Sequence, residues 1–147
     1  MTEKELDARY WLNRAFYANK KAKAIDALLQ QCRERAQGLS SGMDGDGIRI
    51  SNTQNSTENA LMKLANIEEK AVELRAECTY TTAEILSTIL QLHDDDLETV
   101  LINRYILFYT IEKTAEVMNY APRTVKLKQK QAIEKLCPLL PCNAFKK

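Results

Sequence analysis

The stretch NYAPRTVKLKQKQ, residues 119–131, decides how this chain is read. A polar pair and a proline lead into a run with a cation at almost every second position. One reading is a solvated basic face on an ordinary helix. The other is a helix aimed at a polyanion. Asn119 readily takes the left-handed conformation that ends a helix. Pro122 suits the first turn of the next, where its missing N–H costs nothing. The new helix should reach Leu136 and stop before Pro138. Its expected buried face is Val125, Ala132, Ile133 and Leu136. The opposite face carries Arg123, Leu127, Lys130 and Gln131, flanked by Thr124, Lys126 and Lys128. Residues 122–135 hold five cations and one anion, the densest positive patch in the sequence.

The residues just upstream turn the odds toward the second reading. The aspartates at 94–96 are expected to cap and begin a short helix, because carboxylates favour the positive end of the helix dipole. That helix runs from Leu97 to about Leu107, with Leu97, Val100, Leu101, Tyr105 and Phe108 as its apolar stripe. Thr110 can cap a second helix, Ile111–Met118. Helix, three-residue turn, helix is the arrangement that results. His93, the one histidine, reads as a polar helix end.

The first ninety residues carry a different pattern. Ala8, Trp11, Ala15, Ala18, Ala22, Ile25, Leu29, Cys32, Ala36 and Leu39 step by three and four without a slip. Ala60, Leu64, Ile67, Ala71, Leu74, Cys78, Thr81, Ile85, Thr88 and Leu92 do the same. Each series is a coiled-coil seam. Between them residues 40–56 hold three of the four glycines and read as a loop, with a helix start at Ser56 or Thr57. The DGDG within it offers oxygen ligands, but not at the spacing of an EF-hand. Folding about residue 48 makes the helices antiparallel, with Ala8 near Thr88 and Cys32 near Leu64. Residues 3–38 carry eight cations and five anions, and residues 57–93 three cations and six anions, so the two helices bear opposite net charge. A two-helix seam rich in alanine is marginal alone. A homo-oligomer, most simply a dimer, is therefore expected.

Bulk composition narrows the class. With 147 residues, 4 Gly and 3 Pro, and an excess of good helix formers, the chain reads as all-α. The expected organisation is a helical hairpin over 1–93 and a second domain over 94–147 with a short C-terminal tail. Lys and Arg total 21 against 20 Asp and Glu, so any affinity for nucleic acid must come from local clustering. No apolar run suits a signal peptide or a membrane span. The expected location is the cytoplasm, with Cys32, Cys78, Cys137 and Cys142 reduced. No nucleophile–base pair, carboxylate dyad or phosphate-cradling glycine loop is present, so no enzyme, catalytic residue or cofactor is expected. Cys137 and Cys142 are spaced too widely for the usual zinc pair, and no metal site is expected.

The C-terminal residues resemble region 4 of the sigma-70 factors and the related phage-encoded regulators of Gram-positive prophages, akin to the ArpU and RinA late-transcription regulators. Arg104-Tyr105 matches the end of one helix in that pattern, and Glu112-Lys113-Thr114-Ala115 the next. Asn119-Tyr120-Ala121 stands at the turn. Arg123-Thr124-Val125 and Ala132-Ile133-Glu134-Lys135-Leu136 complete it. The strong motif spans Arg104 to Leu136; the layout of YWLNRAFYANKKAKAIDALL and ISNTQNSTENALMKLANIEE extends the similarity over most of the chain. Three positions depart from the pattern: Thr114 where Ile is usual, Ala121 where a capping Ser is usual, and Gln129 where an apolar residue is common.

The resemblance implies a sigma region 4-like helix-turn-helix and a DNA-binding transcriptional regulator in a bacterial host cell. Double-stranded DNA would be its partner and host RNA polymerase a further contact. The residues expected at DNA are Arg123, Thr124, Lys126, Leu127, Lys128, Lys130 and Gln131. Two other readings stand beside it: a small terminase-like DNA-packaging subunit, and a coiled-coil protein adaptor that binds no DNA.

Overall fold

The computed structural model describes the backbone of residues 2–41 and 50–141, and the side chains of 2–37 and 58–141. The chain is all-α, with no strand among the described residues. Two long helices, α1 (Glu3–Ser41) and α2 (Ile50–Ile89), precede three short ones: α3 (Asp95–Leu101), α4 (Ile111–Met118) and α5 (Pro122–Leu136). No described helix is long and apolar enough to cross a membrane.

The helices reach from both sides into the stretch expected as a loop, residues 40–56. Residues 40 and 41 still belong to α1, and α2 begins at Ile50 rather than at Ser56 or Thr57. Ser, Asn and Thr cost only tenths of a kcal/mol each in a helix interior, so a capping pair does not force a start. DGDG and Cys142, and the side chain of Leu39, lie outside what is described.

The chain divides into two compact units, Met1–Ala18 with Cys78–Lys147, and Asn19–Glu77. This partition does not follow the expected boundary at 93/94, and the core explains why. In the first unit Ala8, Trp11, Leu12 and Ala15 of α1 and Ile85 and Ile89 of α2 share one buried cluster with Leu97, Leu101, Tyr105, Ala132, Ile133, Leu136 and Leu140. The opening turns of α1 are core for the C-terminal helices. Thr2 and Glu5 start α1 with a reciprocal capping box: the Thr2 N–H donates to Glu5 Oε2 at 3.2 Å, and the Glu5 N–H to Thr2 Oγ1 at 3.3 Å.

In this unit Arg14 of α1 donates to Glu84 of α2 at 2.8 Å. The second unit is a pair of helix segments, tied by Arg33 to Glu68 at 3.3 Å and by Arg75 to Asp26. Both rungs fit an antiparallel pairing, because the partner number falls as the other rises. Every seam residue whose side chain is described is buried or half-buried. Cys32 and Cys78 are half-buried thiols among them.

Candidate nucleic-acid interface

Local chemistry sets each element that carries the basic stretch. Asp94 is the N-cap of α3, and its carboxylate accepts from the Leu97 N–H at 3.2 Å. His93 ends the preceding turn in the left-handed region, φ 55°, and is exposed. Beyond Leu101 the chain forms a π-helical turn, Ile102–Ile106, and Phe108 then takes a positive φ of 60°. The α-helix expected to reach Leu107 therefore stops at Leu101, and a π turn that periodicity does not signal carries the chain on. Thr110 caps α4, accepting from the Lys113 N–H at 3.1 Å. Asn119 ends α4 at φ 58°, a conformation Asn tolerates. Pro122 opens α5.

The turn is anchored from inside. Val100, Ala115 and Val125 form a small core joining α3, α4 and α5, flanked by Ile111, Met118 and Tyr120. Below it α5 buries Ala132, Ile133 and Leu136 as expected, and Gln129 too. Gln129 is not a defect in an apolar face. Its Oε1 accepts from Arg104 Nε at 2.9 Å, and its Nε2 donates to the Tyr105 hydroxyl at 3.3 Å. Arg104 also donates to the Tyr109 carbonyl at 2.5 Å, holding the segment before α4. Burial pushes the Tyr105 phenol above its ordinary pKa, while Arg9 and Arg104 pull it back. Thr114, by contrast, is fully buried with an unpartnered hydroxyl. That departure carries a polar cost that nothing nearby offsets.

The outward face of α5 gathers most of the residues expected at DNA. Arg123, Lys126, Leu127, Lys130 and Gln131 are exposed, and Thr124 is half-buried at the helix start. Leu127 is 56% exposed, a large apolar side chain among cations. Among the described residues no ion pair engages Arg123, Lys126 or Lys130. Ala121 supplies no side-chain cap, and no acidic residue lies in the first turn of α5. Pro122 carries no N–H, so the amides of Arg123 and Thr124 form the positive dipole end of α5 with no side-chain cap from Ala121.

Lys128 differs from the other expected residues. Its Nζ lies 3.2 Å from Asp96 Oδ2, and the Tyr120 hydroxyl donates to the same oxygen at 2.9 Å. Lys128 also sits 5.2 Å from the centre of the Tyr120 ring. The contacts leave their mark on all three groups. The Tyr120 and Lys128 donors hold the Asp96 carboxyl below its usual range. The bond to Asp96 raises both the Lys128 ammonium and the Tyr120 phenol. Lys135 similarly reaches Asp94 at 3.9 Å. Asp96 and Tyr120 are not legible as partners in the sequence: Asp96 reads as a cap residue and Tyr120 as turn filling, and only the packing of α3 on α5 brings them together. Among the described residues no cluster of His, Cys, Asp and Glu is grouped to hold a metal ion. No family model, curated protein or solved structure matches this chain.

Proposed function

We propose that this chain is a sequence-specific DNA-binding regulator of phage or prophage genes, acting in the bacterial cytoplasm. One observation carries the reading. The outer face of α5 presents Arg123, Lys126 and Lys130 without intramolecular ion pairs around an exposed Leu127, while the cations nearest the acidic caps are paired. The unpaired cations carry the reading rather than the leucine, since single exposed apolar residues are ordinary on any surface.

In this reading α4, the turn at 119–121 and α5 are a helix-turn-helix with α5 as recognition helix, its N-terminal half in the major groove. Arg123 donates to guanine edges, Thr124 contacts a neighbouring base, and Leu127 lies against a thymine methyl. Lys126, Lys130 and Gln131 contact phosphates and fix register. The uncapped start of α5 suits a backbone phosphate, whose oxygens would take the amides that Ala121 leaves open. Lys128 reaches DNA only by leaving Asp96. The long helices supply homo-oligomerisation, and the resemblance to sigma region 4 adds host RNA polymerase as a protein partner.

The test is capture of genomic fragments by the full chain, sequenced at two salt concentrations. A discrete site enriched at both supports the reading. Enrichment without sequence preference, or none at low salt, refutes it.

A further inference from the structure

Phe108 stands at an unusual place in the chain. The π turn Ile102–Ile106 ends at Leu107, and Phe108 follows at φ 60°. Left-handed backbone at a helix end is ordinarily taken by glycine. A bulky aromatic residue there is strained and persists only where its surroundings hold it. The hold comes from α1. The Phe16 and Phe108 rings meet edge to face, with centroids 5.5 Å apart and planes at 77°. Phe108 also packs on the main buried cluster, while Phe16 stays 41% exposed.

The next residue depends on this reversal. The Tyr109 N–H turns back and donates to the Asn103 carbonyl at 2.8 Å. The Tyr109 carbonyl accepts from Arg104 Nη1 at 2.5 Å. Both backbone groups of Tyr109 are thus tied to the π turn. The same guanidinium, through Nε, donates to Gln129 Oε1 at 2.9 Å in the middle of α5. A planar guanidinium fixes these two donor directions relative to each other. A shift at Tyr109 is therefore passed to Gln129.

We infer that Phe16 is a positioning residue for α5: its ring holds Phe108 in the left-handed backbone, and Arg104 passes that geometry through Tyr109 and Gln129 to the helix that carries Arg123, Lys126 and Lys130. Its consequence for DNA rests on the proposed function. Base edges are read only by a helix held in place, whereas attraction to phosphates tolerates small displacements. The positional claim is tested without DNA, so its failure and a failure of DNA binding are separate results.

The experiment is amide hydrogen exchange of the full chain, read peptide by peptide, for the wild type, Phe16→Ala and Phe16→Tyr. Phe16→Ala should speed exchange over 106–111 and 126–132 by about two- to tenfold, the range an edge-to-face pair supports. Exchange over 80–88, where α2 meets this part of α1 through Glu84 and Arg14, should stay as in the wild type. Phe16→Tyr keeps the ring and should exchange like the wild type. Glycine takes φ 60° without strain, so in a Phe108→Gly background Phe16→Ala should add nothing over 126–132. Circular dichroism checks that the helices persist. If Phe108→Gly unfolds, Phe108→Asn takes its place, since Asn also tolerates this backbone. Unchanged exchange over 126–132, exchange raised equally over all three stretches, or an effect undiminished beside the residue-108 variant overturns the inference. On DNA, Phe16→Ala should lose more affinity for the captured genomic fragment than for a shuffled duplex of the same length, at equal salt slopes. Equal losses on both overturn the extension to DNA.

Discussion

Arg104 and Gln129, 25 residues apart in sequence, are joined by an Arg104 Nε to Gln129 Oε1 hydrogen bond of 2.9 Å. Gln129 passes the contact on to the Tyr105 hydroxyl. The pair locks the π turn after α3 to the middle of α5, the helix that carries the basic face. Replacing Gln129 with the apolar residue common at this position in the sigma-like pattern removes the acceptor of Arg104 Nε and one donor to the Tyr105 hydroxyl. Gln129→Leu is expected to cost about 1–3 kcal/mol in urea unfolding. A variant as stable as the wild type would mean that the bonds add nothing beyond packing.

Much of this site could be read before the structure. Periodicity found both seams, since a three-and-four spacing reports burial directly. Thr110, Met118, Pro122 and Leu136 bound α4 and α5 as expected, because caps and prolines act locally. What was not legible depends on contacts distant in sequence. Nothing near Trp11 or Leu12 signals that they share one buried cluster with Ile133 and Leu136. Gln129 reads as a flaw until Arg104 is placed beside it. Lys128 reads as one more free cation until Asp96 meets it.

The uncapped start of α5 invites a gain-of-stability test. Ala121 has φ −70° and ψ 147°, the extended geometry of a capping residue, with no side-chain acceptor. Ala121→Ser should stabilise the fold by about 1 kcal/mol. Thr110→Ala should cost a similar amount by removing the bond to Lys113 N. Thermal unfolding of the two variants checks both signs, and equal midpoints would contradict the capping account.

The contact among Asp96, Lys128 and Tyr120 fixes a pH dependence. The folded Asp96 pKa is lowered, so its contribution is present above the unfolded carboxyl value and is lost as pH falls through the folded one. The Lys128 and Tyr120 values are raised, so theirs is present below the ordinary values and lost as pH climbs past the folded ones. Asp96→Asn should therefore flatten the acid limb of the stability profile below about pH 4. It should also release Lys128 and strengthen DNA binding at low salt. An unchanged acid limb would show that the contact contributes nothing in solution.

The shared core makes a prediction about dissection. A fragment of residues 94–147 lacks Ala8, Trp11, Leu12, Ala15, Ile85 and Ile89, half of the main cluster's covering. It should show no cooperative thermal transition. Leu12→Ala in the full chain, at a fully buried position, should cost about 2–5 kcal/mol. A fragment that unfolds cooperatively would place the boundary back near residue 93.

The proposed role of α5 is tested most directly by the salt dependence of DNA binding, for the full chain and for Lys130→Ala, on one DNA fragment. Each phosphate neutralised adds about 0.9 to the slope of log K against log salt. Affinity that falls steeply with salt, with the slope reduced by about one unit in Lys130→Ala, is the expected result. Affinity independent of salt, or identical slopes for the two proteins, would contradict it.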